Sequence, residues 1–172
     1  MDERTQTALT ALNRAIIRYR GLYARWSMAH DLGYHEMLVL YTIHESGYCT
    51  QKMISDNYLL PRQTIHNVIS CMRRNDFLTV SKKDSKGREK AFVLTEKGEE
   101  YARPLLSDLL GMESDAVHAI GAETAETIAA LINTYTHTLK SGMIQSDGEK
   151  KSCITRTTDK IFSVRRVSGK FF

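Results

Sequence analysis

Proline is almost missing from these 172 residues, with Pro61 and Pro104 the only two. A chain so poor in the residue that locks φ and lacks an N–H is free to be helical over long stretches. Cysteine is nearly as scarce: Cys49, Cys71 and Cys153 are odd in number and show no CxxC spacing. That argues against a disulfide framework and a zinc knuckle, and makes a reducing cytoplasm the expected compartment. No apolar run approaches the ~20 residues that a bilayer span needs, and the opening Met1-Asp2-Glu3-Arg4 is charged with no apolar segment behind it, so neither a membrane nor export is expected. The six histidines, His30, His35, His44, His66, His118 and His137, form no HxxxH or HExxH pair, so no metal is expected. There is no GxSxG, no phosphate-cradling glycine loop, no Cys/His motif and no carboxylate pair at helical spacing in a plausible cleft, so neither an enzyme nor a cofactor is expected.

What the chain does have is a lopsided distribution of charge. Residues 50–90 carry nine Lys/Arg against four acids, a net +5, while residues 1–49 balance at zero. Residues 91–145 hold three basic and eight acidic groups, a net −5, and 146–172 hold seven and three, a net +4. The whole-chain value of +4 therefore conceals a basic module in a neutral body. Such clustering points to a polyanionic partner more strongly than overall pI does.

The length suits one domain of ordinary size. From about Thr5 to His30, Leu9, Leu12, Ile16, Tyr19, Tyr23 and Trp26 recur at three- and four-residue steps and predict a long amphipathic helix, with Gly33 the left-handed residue that closes it. A second helix, about His35 to Ser46, breaks at Gly47. Thr50 suits the N-cap of a short third helix with Met53 and Ile54 inward, and a turn follows at Asn57-Tyr58-Leu59-Leu60. Pro61 pre-sets the first turn of a fourth helix, in which Ile65, Val68, Ile69 and Met72 fall on one face. Two short strands, Phe77–Lys83 and Lys90–Leu94, join through Asp84-Ser85-Lys86-Gly87-Arg88-Glu89 as a hairpin with a basic tip. Thr95 caps the next helix, which runs toward His118 with Pro104 bending or breaking it, and a last helix spans about Ala122 to Lys140 before Ser141-Gly142. Residues 146–172 show no helical period and are expected to form a poorly ordered basic tail.

The fold class expected is mainly α with a small β-hairpin wing: a winged helix-turn-helix core over 35–94, flanked by helical dimerisation regions at 5–33 and 95–142, all within a single domain 1–145. The outer face of the fourth helix holds Arg62, Gln63, His66, Asn67, Ser70, Arg73 and Arg74, and no carboxylate. A solvated helix surface ordinarily mixes both signs, so this face suits phosphates and base edges of double-stranded DNA. Gln63 and Asn67 are carboxamides able to bond adenine twice, although which of them touches a base stays open. Arg73 and Arg74 suit phosphate, or fold back on Asp76 or Asp84, and His66 is either a base contact or a surface histidine. Lys83, Lys86, Arg88 and Lys90 add the wing's charge. Cys49 and Cys71 read as small buried or half-buried residues, the latter on the core side of its helix.

These residues resemble a known family. TQKMISDNYLLPRQTIHNVISCMRRNDFL, then DSKGREK and LTEKG, is similar to the winged helix-turn-helix of the MarR (multiple antibiotic resistance regulator) family, and the helix order extends the resemblance from about Thr5 to Gly142. It implies a homodimeric transcription regulator, usually a repressor, whose grip on a palindromic operator is relaxed by a small molecule or by oxidation. It places Arg62, Gln63, Thr64, His66, Asn67 and Ser70 on the major-groove helix, makes Arg88 the wing arginine of the minor groove, and makes Asp84 the acid that holds the wing in shape. Two departures stand out. Asn75-Asp76 replaces the glycine that usually ends the recognition helix, with Asn75 the expected left-handed residue, and the wing is about one residue short, which leaves open whether Lys86 or Arg88 reaches deepest. No reactive cysteine lies near the first helix, and the aromatic set Tyr19, Tyr23, Trp26 and Tyr41 is a candidate seat for a small aromatic effector. A winged helix that binds only another protein is the alternative, and the acid-free face counts against it.

Overall fold

A computed structural model describes the backbone of residues 1–165 and the side chains of residues 1–143. The order of elements is α1 (Glu3–Ala29), α2 (Tyr34–Ser46), β1 (Cys49–Thr50), α3 (Gln51–Tyr58), α4 (Arg62–Arg74), β2 (Leu78–Lys86), β3 (Glu89–Leu94), α5 (Glu96–Ile120) and α6 (Ala122–Arg165). They form two units, Met1–Met112 and Glu113 onward.

In the first unit, α2, α3 and α4 close over a three-stranded antiparallel sheet in the order β1-β3-β2. Val39, Leu40, Ile54, Ile65, Ile69, Met72, Phe92 and Leu109 are buried at its centre. α4 contributes one face, Ile65, Ile69 and Met72 at three- and four-residue steps, whereas α2 is central and buries Met37, Leu38, Val39 and Leu40 in succession. The described residues include no helix long and apolar enough to cross a membrane.

Several expected details change. α1 is closed by Asp31 and not by Gly33: Asp31 has φ +52°, while Gly33 is extended at φ −67° and caps α2. The Leu32 N–H reaches the Ser27 carbonyl at 2.9 Å and the Asp31 N–H reaches Met28 at 3.3 Å, the pair of bonds that satisfies the last carbonyls of a helix. The same device ends α4, where Asp76 (φ +61°) and not Asn75 takes the left-handed position, with Phe77 N–H on the Met72 carbonyl at 2.9 Å. A short polar side chain tolerates this conformation in Asp as in Asn, so residue type alone did not separate the neighbours. Pro61 precedes α4 as its N-cap, one residue earlier than expected.

β1 was not expected at all; it is two residues long, and only its pairing with Phe92 and Ala91 of β3 identifies it. Pro104 neither breaks nor ends α5. α6 runs past Ser141-Gly142 to Arg165, and a glycine inside a helix costs only about 1 kcal/mol. Of the tail expected at 146–172, the side chains and residues 166–172 lie outside the described residues, and its backbone up to Arg165 is helical where no helical period was read.

The second unit holds the end of α5 and α6. Ile128, Leu131, Ile132 and Leu139 of α6, residues of the apolar stripe expected there, are exposed among the described residues.

Candidate nucleic-acid interface

α3 and α4 meet through a tight turn. Thr50 caps α3 by accepting the Met53 N–H at 3.1 Å, and Leu59 ends it in the left-handed region at φ +52°. Leu59 lacks the small polar side chain that usually relieves this conformation, so the turn is held by the packing on either side of it and by the Leu60 N–H on the Ser55 carbonyl at 3.1 Å.

The polar face expected on α4 is outward. Arg62, Gln63, His66, Asn67, Arg73 and Arg74 are exposed, Thr64 and Ser70 half-buried, and Ile65, Ile69 and Met72 buried beneath them. Val68 is only half-buried, at the edge of the apolar stripe. Cys71 corrects the expectation of a core-side thiol, because it is exposed. Two residues on from Ile69 it lies about 200° round the helix, away from the buried stripe. Cys49 is buried, and burial pushes its thiol up to about 12, so it stays protonated.

Two hydrogen bonds organise the outer face. Gln63 Nε2 donates to Asn67 Oδ1 at 3.0 Å, and Gln51 Nε2 of α3 lies 3.2 Å from His66 Nδ1. His66 is thus tied back toward α3 on one ring nitrogen. Neither Arg73 nor Arg74 forms an ion pair with Asp76 or Asp84 among the described residues; the Arg73 guanidinium sits 5.8 Å from the Phe92 ring centre.

The wing is a hairpin in which Lys86 pairs with Glu89 across Gly87-Arg88, and Gly87 (φ +56°) supplies the left-handed turn position. Both strands run further toward the tip than expected, and β2 is irregular between Ser81 and Lys86. Asp84 works inside that irregularity: it accepts the Ser81 hydroxyl at 2.6 Å, its own N–H reaches Ser81 Oγ at 3.3 Å, and the Ser85 hydroxyl accepts the Ala91 N–H at 3.0 Å. Lys83, Lys86, Arg88 and Lys90 are all exposed.

A residue the sequence reading passed over joins the parts. The Thr50 hydroxyl donates to the Glu89 carboxylate, so the cap of α3 is fastened to the base of the wing. Beside it lies a crevice of about 370 Å³ lined by Gln51, Lys52, Arg62, Arg88, Glu89, Lys90 and Phe92. Four cations and one acid therefore face a single opening between the start of α4 and the wing, a composition that suits an anion. The available signal for Glu89 was only its place in the loop beside the expected strand Lys90–Leu94; its partner became visible only with the β1–β3 pairing.

LTEKG also has a structural explanation. Thr95 caps α5, accepting the Gly98 N–H at 3.0 Å, and its hydroxyl donates to the Asp76 carbonyl. Lys97 Nζ donates to the Asn75 carbonyl at 2.9 Å, placing a cation on the negative end of α4. A Cβ on Gly98 would stand 2.1 Å from the Phe77 carbonyl oxygen, so only glycine fits.

The aromatic set lies on α1 and α2, with Tyr19 exposed and Tyr23, Trp26 and Tyr41 half-buried. The Tyr19 and Tyr23 hydroxyls are 3.0 Å apart on α1. Trp26 stacks on His30 and donates Nε1–H to Asp108 of α5 at 2.7 Å.

No family model and no curated protein matches the chain. Solved structures match over most of its length. A MarR family regulator from Neisseria meningitidis aligns with a TM-score of 0.73 at 23% identity, over 81% of this chain and 98% of that one. Staphylococcus aureus MarR in complex with salicylate and kanamycin aligns at 0.58 and 22%, over 81% and 95%. Bordetella bronchiseptica BpsR, whose DNA binding is regulated by 6-hydroxynicotinic acid, aligns at 0.57 and 16%, over 76% and 98%. The fold is thus the winged helix fold of MarR family regulators.

Proposed function

We propose that this chain is a MarR-type transcription regulator: a cytoplasmic homodimer that binds a palindromic DNA operator through α4 and the wing, acts as a repressor, and is released by a small aromatic molecule. The observation that carries the reading is the exposed face of α4, which has no carboxylate and lies beside exposed wing cations. A sequence-reading helix needs such a face, because phosphate contacts fix register and base edges are read by neutral and cationic donors. In this reading Arg62, Gln63, Thr64, His66, Asn67 and Ser70 meet the major groove, Arg73, Arg74, Lys83, Lys86 and Lys90 meet phosphate, and Arg88 enters the minor groove. Asp84 keeps the wing in shape through Ser81. Uncovered apolar side chains on α1 and α6 support a second copy as partner, since a two-fold operator needs two recognition helices about 34 Å apart. Tyr19, Tyr23, Trp26 and Tyr41 are the aromatic surfaces offered to an effector, a role supported by the aromatic molecules named with two of the similar structures.

The test is binding of duplex DNA across a salt series. Wild type should bind with a steep salt slope, and Arg88→Ala should lower that slope by about one counterion per subunit as affinity falls. An unchanged slope would remove Arg88 from the groove. A protein that shifts no duplex even at low salt is not a DNA reader, and a protein-binding winged helix would take its place.

A further inference from the structure

Gln63 and Asn67 stand four residues apart on the exposed face of α4, and the Gln63 amide donates to the Asn67 carbonyl oxygen at 3.0 Å. We infer that the two carboxamides act as one reading unit on a single A·T pair, with Gln63 the residue that contacts adenine and Asn67 the residue that positions it. The inference rests on the DNA-binding reading above and deepens it.

A carboxamide has two N–H donors and one carbonyl acceptor. Adenine offers N7 as acceptor and the N6 amino group as donor in the major groove, so one N–H and the carbonyl suffice to bind it twice. With one Gln63 N–H given to Asn67, the second N–H and Oε1 are what adenine requires. Position decides which partner reads: Gln63 is the second residue of α4 and Asn67 lies a turn further in. The N-terminal residues of a recognition helix are those that reach base edges. Gln63 is otherwise a long side chain free to rotate in water. A bond from the next turn fixes its amide before DNA arrives, and a pre-oriented group loses less freedom on binding. The neighbouring His66 is held from the other side by Gln51 of α3, so it is not Asn67's partner.

The assignment is tested by selecting duplexes from a pool with randomised sites, using wild type, Gln63→Ala, Asn67→Ala, the double variant and Asn67→Asp. Wild type should enrich one adenine per half-site. Gln63→Ala and Asn67→Ala should each relax preference at that same position, by roughly 5- to 150-fold, and the double variant should lose no more than the worse single one. Asn67→Asp keeps an oxygen for the Gln63 N–H while removing the Asn donors. It should retain the adenine preference, even as its added negative charge weakens binding to all sequences alike.

Losses at two different positions, losses that multiply in the double variant, or an Asn67→Asp protein as unselective as Asn67→Ala would each overturn the inference while leaving DNA binding intact. A wild type that binds duplexes but enriches no sequence would overturn it together with the sequence-reading role. A wild type that binds no duplex would overturn the DNA reading itself.

Discussion

α4 and α1 are both striped with apolar residues, yet only one of them is finished by this chain. α4 buries Ile65, Ile69 and Met72 to 1% exposure or less and turns its polar residues outward. The one fully buried residue of α1 is Ser27, while Leu12 (37%) and Tyr19 (63%) of its stripe stand exposed, as do Ile17 (71%), Leu22 (60%) and Met28 (76%) to either side of it. Apolar surface in water is costly in proportion to its area, and a polar cationic face is not. The difference teaches that the two exposed surfaces are of opposite chemical kinds. The outer face of α4 suits a polyanion, and that of α1 suits another apolar surface.

The largest effect expected is therefore on assembly. Glutamates at Ile17 and Leu22 would place four charges in an interface related by a two-fold axis, where each lost apolar contact is worth about 1.5–3 kcal/mol. Sedimentation should show a dimer for wild type and a monomer for Ile17→Glu/Leu22→Glu, with a dissociation constant raised at least about a thousandfold, and with unchanged helical circular dichroism. A dimer that survives both charges would mean that neither Ile17 nor Leu22 lies in the contact.

A smaller effect separates the helices by stability. Ile69→Ala removes a side chain with 1% exposure and should lower unfolding free energy by about 2–5 kcal/mol in urea titrations. Leu22→Ala, measured on an Ile17→Glu background once sedimentation has shown that background to be a monomer, should change it by less than about 0.5 kcal/mol, as exposed substitutions do. Equal losses at the two sites would abolish the contrast.

How far the sequence revealed this arrangement depends on whether the signal was local. Helical faces were legible, because period alone separates Ile65, Ile69 and Met72 from Arg62, Gln63 and Asn67. Thr50 and Thr95 were legible as caps, because a cap bonds within three residues. Contacts between distant residues were not. β1 exists only through its pairing with β3, Glu89 gained its role only when Thr50 arrived beside it, and Gly98 proved indispensable only against the Phe77 carbonyl. The left-handed residues were mislocated for another reason: Asp31 competed with Gly33 and Asp76 with Asn75, and a hydrogen-bond pattern spanning six residues settled both. The open side of α1 was misleading in its own way, since periodicity states that a helix has an apolar face but not whose surface covers it.

Ser27 gives the finest test of that open side. It has no exposure, and its hydroxyl finds no hydrogen-bond partner among the described residues, although its backbone carbonyl accepts from Leu32. A buried hydroxyl left unpaired costs about 1–3 kcal/mol, and alanine is the better helix former by roughly half a kcal/mol. Ser27→Ala should therefore raise unfolding free energy by about 1 kcal/mol, read as a higher urea midpoint at unchanged slope. Duplex binding should not move, because Ser27 lies far in sequence from α4 and keeps its carbonyl bond. The opposite sign would be equally informative. A loss of stability would mean that the hydroxyl is satisfied inside the chain, by a carbonyl of its own helix that alanine cannot bond.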